Sequence, residues 1–183
     1  MLERITKEDF ESFYRLLETS FPPTERRVKN GQRDLFDTEK VYEVYGLKNE
    51  KTHTVEAFLA VWELDNVLFL EHFAVDPALR GKGLGSGLLR ELASNAKKPL
   101  CLEVEPPQTD VAKRRIEFYK RNGFFLNEYP YTQPSLAEGQ PPIPLLIMTY
   151  GKAVDQIGFE KIRDELYERV YHVGPMPKAD GAL

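Results

Sequence analysis

The sequence predicts an α/β protein in which helices pack on a mixed sheet, parallel and antiparallel strands together (the α+β kind of mixture). Three observations predict it. Apolar runs of strand length, such as 67–75, are interleaved with segments of helical period, such as 84–96. A glycine-rich turn joins the strand ending at Val75 almost directly to the next helix. With 183 residues, 42% hydrophobic and 30% charged, the chain suffices for one compact domain with a sizeable core.

Thr6, with Asp9 three residues on, reads as a helix N-cap with a carboxylate in the first turn. Phe10, Phe13, Tyr14 and Leu17 continue at helical spacing, so an amphipathic helix is expected over 7–19, ended by Phe21-Pro22-Pro23. The charged stretch 24–40 reads as a loop plus a short helix. Strands follow over 41–47, 54–64 and 67–75, turning at Lys48-Asn49-Glu50 and at Asp65-Asn66. After the glycine turn, Leu84, Leu88, Leu92 and Ala96 share a helix face. Leu100 to Glu105 is a strand closed by Pro106-Pro107. The helix over 111–122 carries Ala112, Ile116 and Tyr119 on one face and stops at Gly123. Another strand starts at Phe124-Phe125-Leu126. The prolines at 130, 134, 141, 142 and 144 predict a loop over 130–144. A strand over 145–150 and a last helix marked by Phe159, Ile162, Leu166 and Val170 complete the order. The expected organisation is a domain over 1–150, a helical appendage over 151–174 and a loose tail over 175–183.

The glycine turn carries the clearest chemistry. Past Asp76-Pro77, Gly81, Gly83, Gly85 and Gly87 alternate with Lys82, Leu84 and Ser86. Glycines let a backbone approach a ligand closely, and the first N–H groups of a helix are free to meet an anion. With Arg80 and Lys82 beside them, the expected ligand carries a pyrophosphate. A P-loop is excluded because no Lys-Ser/Thr pair follows the last glycine, and the spacing does not give Gly-x-Gly-x-x-Gly. What remains is Arg80-x-x-Gly83-x-Gly85. It resembles the coenzyme A pyrophosphate loop of the GNAT superfamily of N-acetyltransferases, and the order of elements over 1–150 is similar to that fold. The resemblance implies that acetyl-CoA is held by Phe73, Ala74, Val75, Arg80, Gly81, Lys82, Gly83, Leu84, Gly85 and Ser86. It also implies that strands 67–75 and 100–105 part to admit the pantetheine arm, Pro106-Pro107 standing where their ladder ends. Lys113, Arg114 and Arg115 would face the 3′-phosphate or simply solvent.

The segment Glu117 to Phe124, with Phe118-Tyr119 followed by Gly123-Phe124, is similar to a second family segment. There the tyrosine protonates the leaving thiolate, a role that falls here on Tyr119. A phenol of pKa about 10 stays protonated at neutral pH and can donate to a thiol of pKa about 8.5. The alternative is a packed core tyrosine. For the base, period-two alternation puts Phe69, Glu71, Phe73 and Val75 on one strand face. Glu71 is the first candidate, partial burial raising its pKa toward a useful range, and a salt bridge or hydrogen bond to a neighbour is the alternative. Glu103 and Glu105 are further candidates, or anions that attract a cationic acceptor. By the same alternation His72 faces away from Glu71 and is structural.

The resemblance implies an N-acetyltransferase moving acetyl from acetyl-CoA to a primary amine of a small molecule or protein, without a covalent enzyme intermediate. A non-catalytic acyl-CoA-binding regulatory domain is the alternative, and Tyr119 speaks for the enzyme. The acceptor site is expected from Thr24 to Phe36, the 129–144 loop and the open sheet edge. A net charge of −4 argues against general nucleic-acid binding. The lone Cys101 reads as a buried thiol, and His53, His72 and His172 show no metal-ligand spacing, so no metal is expected. Without a signal-like apolar start or a membrane-length segment, a cytoplasmic protein with no membrane partner is expected.

Overall fold

A computed structural model describes residues 2–136 and 139–174. Among them, β1 (Glu3–Arg4), α1 (Phe10–Ser20) and α2 (Lys29–Thr38) precede a meander of β2 (Tyr42–Lys48), β3 (Val55–Glu63) and β4 (Leu68–Val75). Then come α3 (Leu84–Asn95), β5 (Leu100–Val104), α4 (Asp110–Arg121), β6 (Phe124–Gln133), β7 (Ile143–Tyr150) and α5 (Gln156–Arg169). The sheet runs β1-β2-β3-β4-β5-β7-β6. Only β4 and β5 are parallel, as a crossover through α3 demands; the other neighbours are antiparallel. Thr6 N–H donates to the Asp9 carboxylate at 2.9 Å, the expected closure at the chain's first helical turn. Gly123 takes φ +88° where α4 ends.

One sheet face is covered by α1, α2 and α5. Phe10, Phe13 and Leu17 of α1 pack there with Phe58 and Trp62. The other face is covered by α3 and α4, through Leu88, Leu89, Leu92 and Ile116 against Leu59, Val61, Leu70 and Leu102. The C-terminal segment expected as an appendage is not peripheral in its packing. Phe159, Ile162, Leu166, Tyr167, Val170 and Tyr171 belong to the same buried cluster as α1. The expected tail over 175–183 lies outside the described residues.

The proline-rich loop is shorter than its composition predicts. β6 continues through Pro130 to Gln133, and β7 begins at Ile143 and includes Pro144. β6 lies at the edge of the sheet, and its pairing with β7 is irregular between Asn127 and Tyr131, where a residue without an N–H costs no regular ladder bond. Pro144 lies beyond Leu146, which pairs with Val104 at the end of β5, so β5 has no residue left to bond it.

The opening in the sheet comes from a bulge. In the β3–β4 ladder Ala60 faces His72 while Val61 faces Leu70, which leaves Glu71 as the extra residue. The bulge turns the alternation by one position. Glu71 then bonds Trp62 and His72 packs on Phe21, so both occupy the face that carries Trp62, and His72 does not face away from Glu71 as strict alternation predicts. β4 and β5 pair only from Leu68↔Leu100 to Leu70↔Leu102 and then part. They separate at the bulge, well before Pro106, so the prolines do not end the ladder.

Candidate active site

A cavity of about 580 Å³ occupies the gap between the parted strands. β4 contributes Leu70 to Val75 and β5 contributes Leu102 to Glu105. The glycine turn forms one end. Arg115, Phe118 and Tyr119 come from α4, and Gln133, Leu136 and Leu145 from β6, β7 and their connection. Ser20 ends α1, Phe21 and Glu25 follow it, and Tyr171 follows α5.

The turn presents a helix start to the cavity. Asp76 accepts a hydrogen bond from Ala78 N–H at 2.8 Å, and Arg80 Nε donates to the Val75 carbonyl at 2.9 Å, which ties the turn to the end of β4. Gly83, at φ +78°, is the N-cap of α3 and has no side chain to cap it. The first helical bond is Gly87 N–H to the Gly83 carbonyl, so the N–H groups of Leu84, Gly85 and Ser86 precede the helical ladder. They supply donors and the positive end of the helix dipole. At Gly85 a Cβ would stand 3.3 Å from Phe73 Cζ and 3.5 Å from Phe118 Cζ. Of the residues expected to hold the cofactor, Phe73, Ala74, Val75, Arg80, Gly81, Gly83, Leu84, Gly85 and Ser86 line the cavity, and Lys82 is exposed and does not. The free helix terminus and the β4 backbone left unpaired by β5 fit a pyrophosphate joined to an extended arm. Gly85→Trp should therefore weaken acetyl-CoA binding by more than tenfold by filling this space. Calorimetry checks it, with a thermal melt to verify folding; unchanged affinity in the folded variant would remove the loop from the binding site.

Glu71 is in the wall of this cavity, but its environment is not that of a base. Its side chain is 3% exposed; Arg27 Nη1 lies 2.7 Å from Oε1 and Trp62 Nε1 donates to Oε2 at 3.1 Å. Burial pushes the carboxyl up, and the Arg27 guanidinium with His72 overcomes it, holding Glu71 at about 2. The expected rise is thus reversed, and the salt-bridge alternative describes the residue. His72 Nε2 lies 2.8 Å from the Glu25 carbonyl, so that nitrogen carries the proton and anchors β4 to the 23–25 turn.

Glu103 has the opposite character. It accepts hydrogen bonds from Tyr131 and from Tyr171, the latter at 2.9 Å to Oε1 and 2.8 Å to Oε2. Burial outweighs both and pushes the carboxyl up to about 7. None of the ion pairs among the described residues involves Glu103, whereas Glu105 is paired with Arg115 at 2.8 Å. Glu25 is also raised, by burial and by the nearby Glu105.

Tyr119 is buried between Phe118 and Phe124, with ring centroids 5.4 and 5.6 Å away. Its hydroxyl makes no hydrogen bond among the described residues, and burial pushes its phenol up to about 12. Its hydroxyl thus stays a donor at any physiological pH. Cys101 is buried, and burial pushes its thiol up, as its apolar strand predicts. Nothing in the sequence around Tyr171 marks it as a site residue. Arg27 and Tyr131 lie in the 24–36 and 129–144 stretches expected to build the acceptor site, and each holds a carboxylate there.

Comparison with known proteins identifies relatives of the fold. Residues 41–125 match the family model for the acetyltransferase (GNAT) domain. A protein assigned to the GNAT acetyltransferases of Bacteroides thetaiotaomicron is 35% identical, with a TM-score of 0.85 over 94% of this chain and 99% of that one. Arabidopsis thaliana NAA60, solved in complex with acetyl-CoA, has a TM-score of 0.63 at 13% identity, covering 82% of this chain and 97% of that one. The ribosomal-protein-S18-alanine N-acetyltransferase of Escherichia coli has a TM-score of 0.56 at 20% identity, over 85% and 97%. These two share the fold. No curated protein sequence matches the chain.

Proposed function

This chain belongs to the GNAT acetyltransferase family and is an acyltransferase, and on that premise we propose that it moves an acetyl group from acetyl-CoA to a primary amine by direct attack, with Glu103 as general base and Tyr119 as general acid. The observation that carries the assignment is Glu103, a carboxylate balanced near neutrality in the cavity that also holds the glycine turn and an unpartnered phenol.

The acceptor amine arrives protonated, and Glu103 takes one proton to give a neutral nucleophile. A carboxylate of pKa about 7 is half-ionised at neutral pH and is a far better proton acceptor than Glu71. The nitrogen attacks the thioester carbon as the C–N bond forms. Main-chain donors of β4 between Glu71 and Val75, where β5 no longer pairs, are available to the developing oxyanion. As the C–S bond breaks, the Tyr119 hydroxyl donates to the sulfur. With a pKa about 12 the phenol acts by hydrogen bonding and passes its proton only as the thiolate leaves, recovering one from the former ammonium nitrogen. One proton reaches Glu103 and one reaches the thiol, which balances the reaction.

The walls favour a cationic acceptor. Glu25, Glu103 and Glu105 face the cavity, and of these only Glu105 has an arginine partner among the described residues. Gln133, buried in the same wall with an amide nitrogen that lacks a partner among the described residues, offers one donor to an oxygen on the acceptor. Both a small amine and a protein amine meet these terms.

Calorimetric titration with acetyl-CoA tests the reading. Saturable one-site binding is expected, about 8 kcal/mol if the Kd is 1 μM, followed by CoA release when amines are added. A folded, cofactor-free protein that binds no acetyl-CoA would leave only the fold, and binding without transfer to any amine in a broad panel would favour an acyl-CoA-binding regulatory domain.

A further inference from the structure

We propose that Tyr171 is a positioning residue of the acetyl-transfer site, its hydroxyl centred on both oxygens of Glu103 so that one carboxylate lone pair is kept toward the acceptor amine. The proposal rests on Glu103 being the base, and it assigns an active-site role to a segment outside the family-model match, which ends at residue 125.

The geometry is specific. A phenol has one proton, yet Tyr171 Oη is 2.9 Å from Oε1 and 2.8 Å from Oε2, so that proton is shared between the two oxygens. Tyr131 donates to Oε1 from β6. Both ordered donors thus reach Oε1, and Oε2 keeps the freer lone pair. Tyr171 is itself held from several sides. It is 8% exposed, its N–H bonds the Leu166 carbonyl at 3.1 Å, and the chain reverses at His172 with φ +54°. Tyr167, one turn earlier, donates to the Thr132 carbonyl at 2.6 Å and ties α5 to β6. Docking of α5 therefore sets the position of the phenol relative to Glu103.

The charged and titratable surroundings of Glu103 are known from each side. Tyr131 faces it from β6, Tyr171 and Tyr167 from the α5 side, and Glu71 and His72 from β4. Cys101 precedes it on its own strand, Glu105 follows that strand, and Arg27 lies near both Glu71 and Tyr171. Burial and Glu71 push the carboxyl up while the two phenols hold it down. Removing one phenol must then raise it further.

The test is a direct titration of Glu103 in the full chain by ¹³C NMR of side-chain-labelled glutamate, the resonance being assigned by its loss in Glu103→Gln. Tyr171→Phe should move the midpoint up by about one pH unit, the effect of one lost charge-assisted hydrogen bond. The same variant should lower kcat while acetyl-CoA affinity holds. Should Tyr171→Phe fail to fold, 3-fluorotyrosine placed at 171 keeps the shape and strengthens the donor, and the midpoint should move down. An unmoved midpoint in a folded protein overturns the proposal, since a tyrosine that only packs would not change it. The titration needs no acceptor. A moved midpoint in a protein that binds no acetyl-CoA would refute the acetyl-transfer reading, whereas an unmoved one in an active enzyme would refute the role of Tyr171 alone.

Discussion

Glu103→Gln is expected to lower kcat/KM for acetyl transfer about 1000-fold, within the range usual for a general base, and to leave acetyl-CoA affinity within about twofold. The amide keeps the shape and can still accept from Tyr131 and Tyr171, but it cannot take a proton. In the unaltered enzyme, activity should rise with pH through about 7, where the carboxyl ionises. The variant's residual activity should lose that limb. Stability should move the other way. The folded carboxyl titrates at about 7 against an ordinary 4.5, so the folded state holds its proton more tightly than the unfolded one. Its contribution is fully present below 4.5 and is lost as pH rises through about 7. Glutamine avoids this loss, on the order of 3 kcal/mol. Thermal melts at pH 5 and pH 8 check it: the variant should gain on the parent at the higher pH, and an equal difference at both would mean that Glu103 is not held protonated by the fold. If the variant retains full turnover, the base lies elsewhere, and Glu105 is the next carboxylate along the chain in the cavity wall.

Tyr119→Phe should lower kcat about 100-fold while changing acetyl-CoA affinity and folding stability little. The ring keeps its contacts with Phe118 and Phe124, and the hydroxyl has no protein hydrogen bond to lose among the described residues. Only a role at the reacting sulfur would register. Single-turnover rates with acetyl-CoA prebound separate the chemical step from binding. Large, parallel losses in cofactor affinity and melting temperature would instead mark Tyr119 as a packing residue. The phenol, at about 12, does not titrate in the working range, so any fall in activity on the alkaline side must come from another group.

Among the elements, those with local causes agree with their sequence signals. Helical spacing of Phe10, Phe13 and Leu17, and of Phe159, Ile162 and Leu166, depends only on the 3.6-residue period, and both helices bury those residues. The glycine turn is equally local: a strand, positive φ at Gly81 and Gly83, and a helix terminus within ten residues produce a cradle without distant help. Proline counting misled at 130–144 because the penalty for a missing N–H depends on the neighbouring strand, and at the edge of the sheet or beyond the end of β5 no neighbour required one.

The sequence by itself determined the mixed α/β architecture, the glycine turn at the start of a helix and the place of Tyr119, since each follows from the spacing of residues within one element and its turn. The tertiary structure alone decided which carboxylate is held ionised and which is brought near neutrality. A bulge of one residue in β4 turned Glu71 toward Arg27, 44 residues away, and the ion pair fixed it as an anion. Glu103 received its donors from 28 and 68 residues away, together with the burial that outweighs them. The proton affinity of a carboxylate is set by the charges and donors within a few ångströms and by the water excluded from it, and chain order specifies none of these until the sheet and α5 have packed.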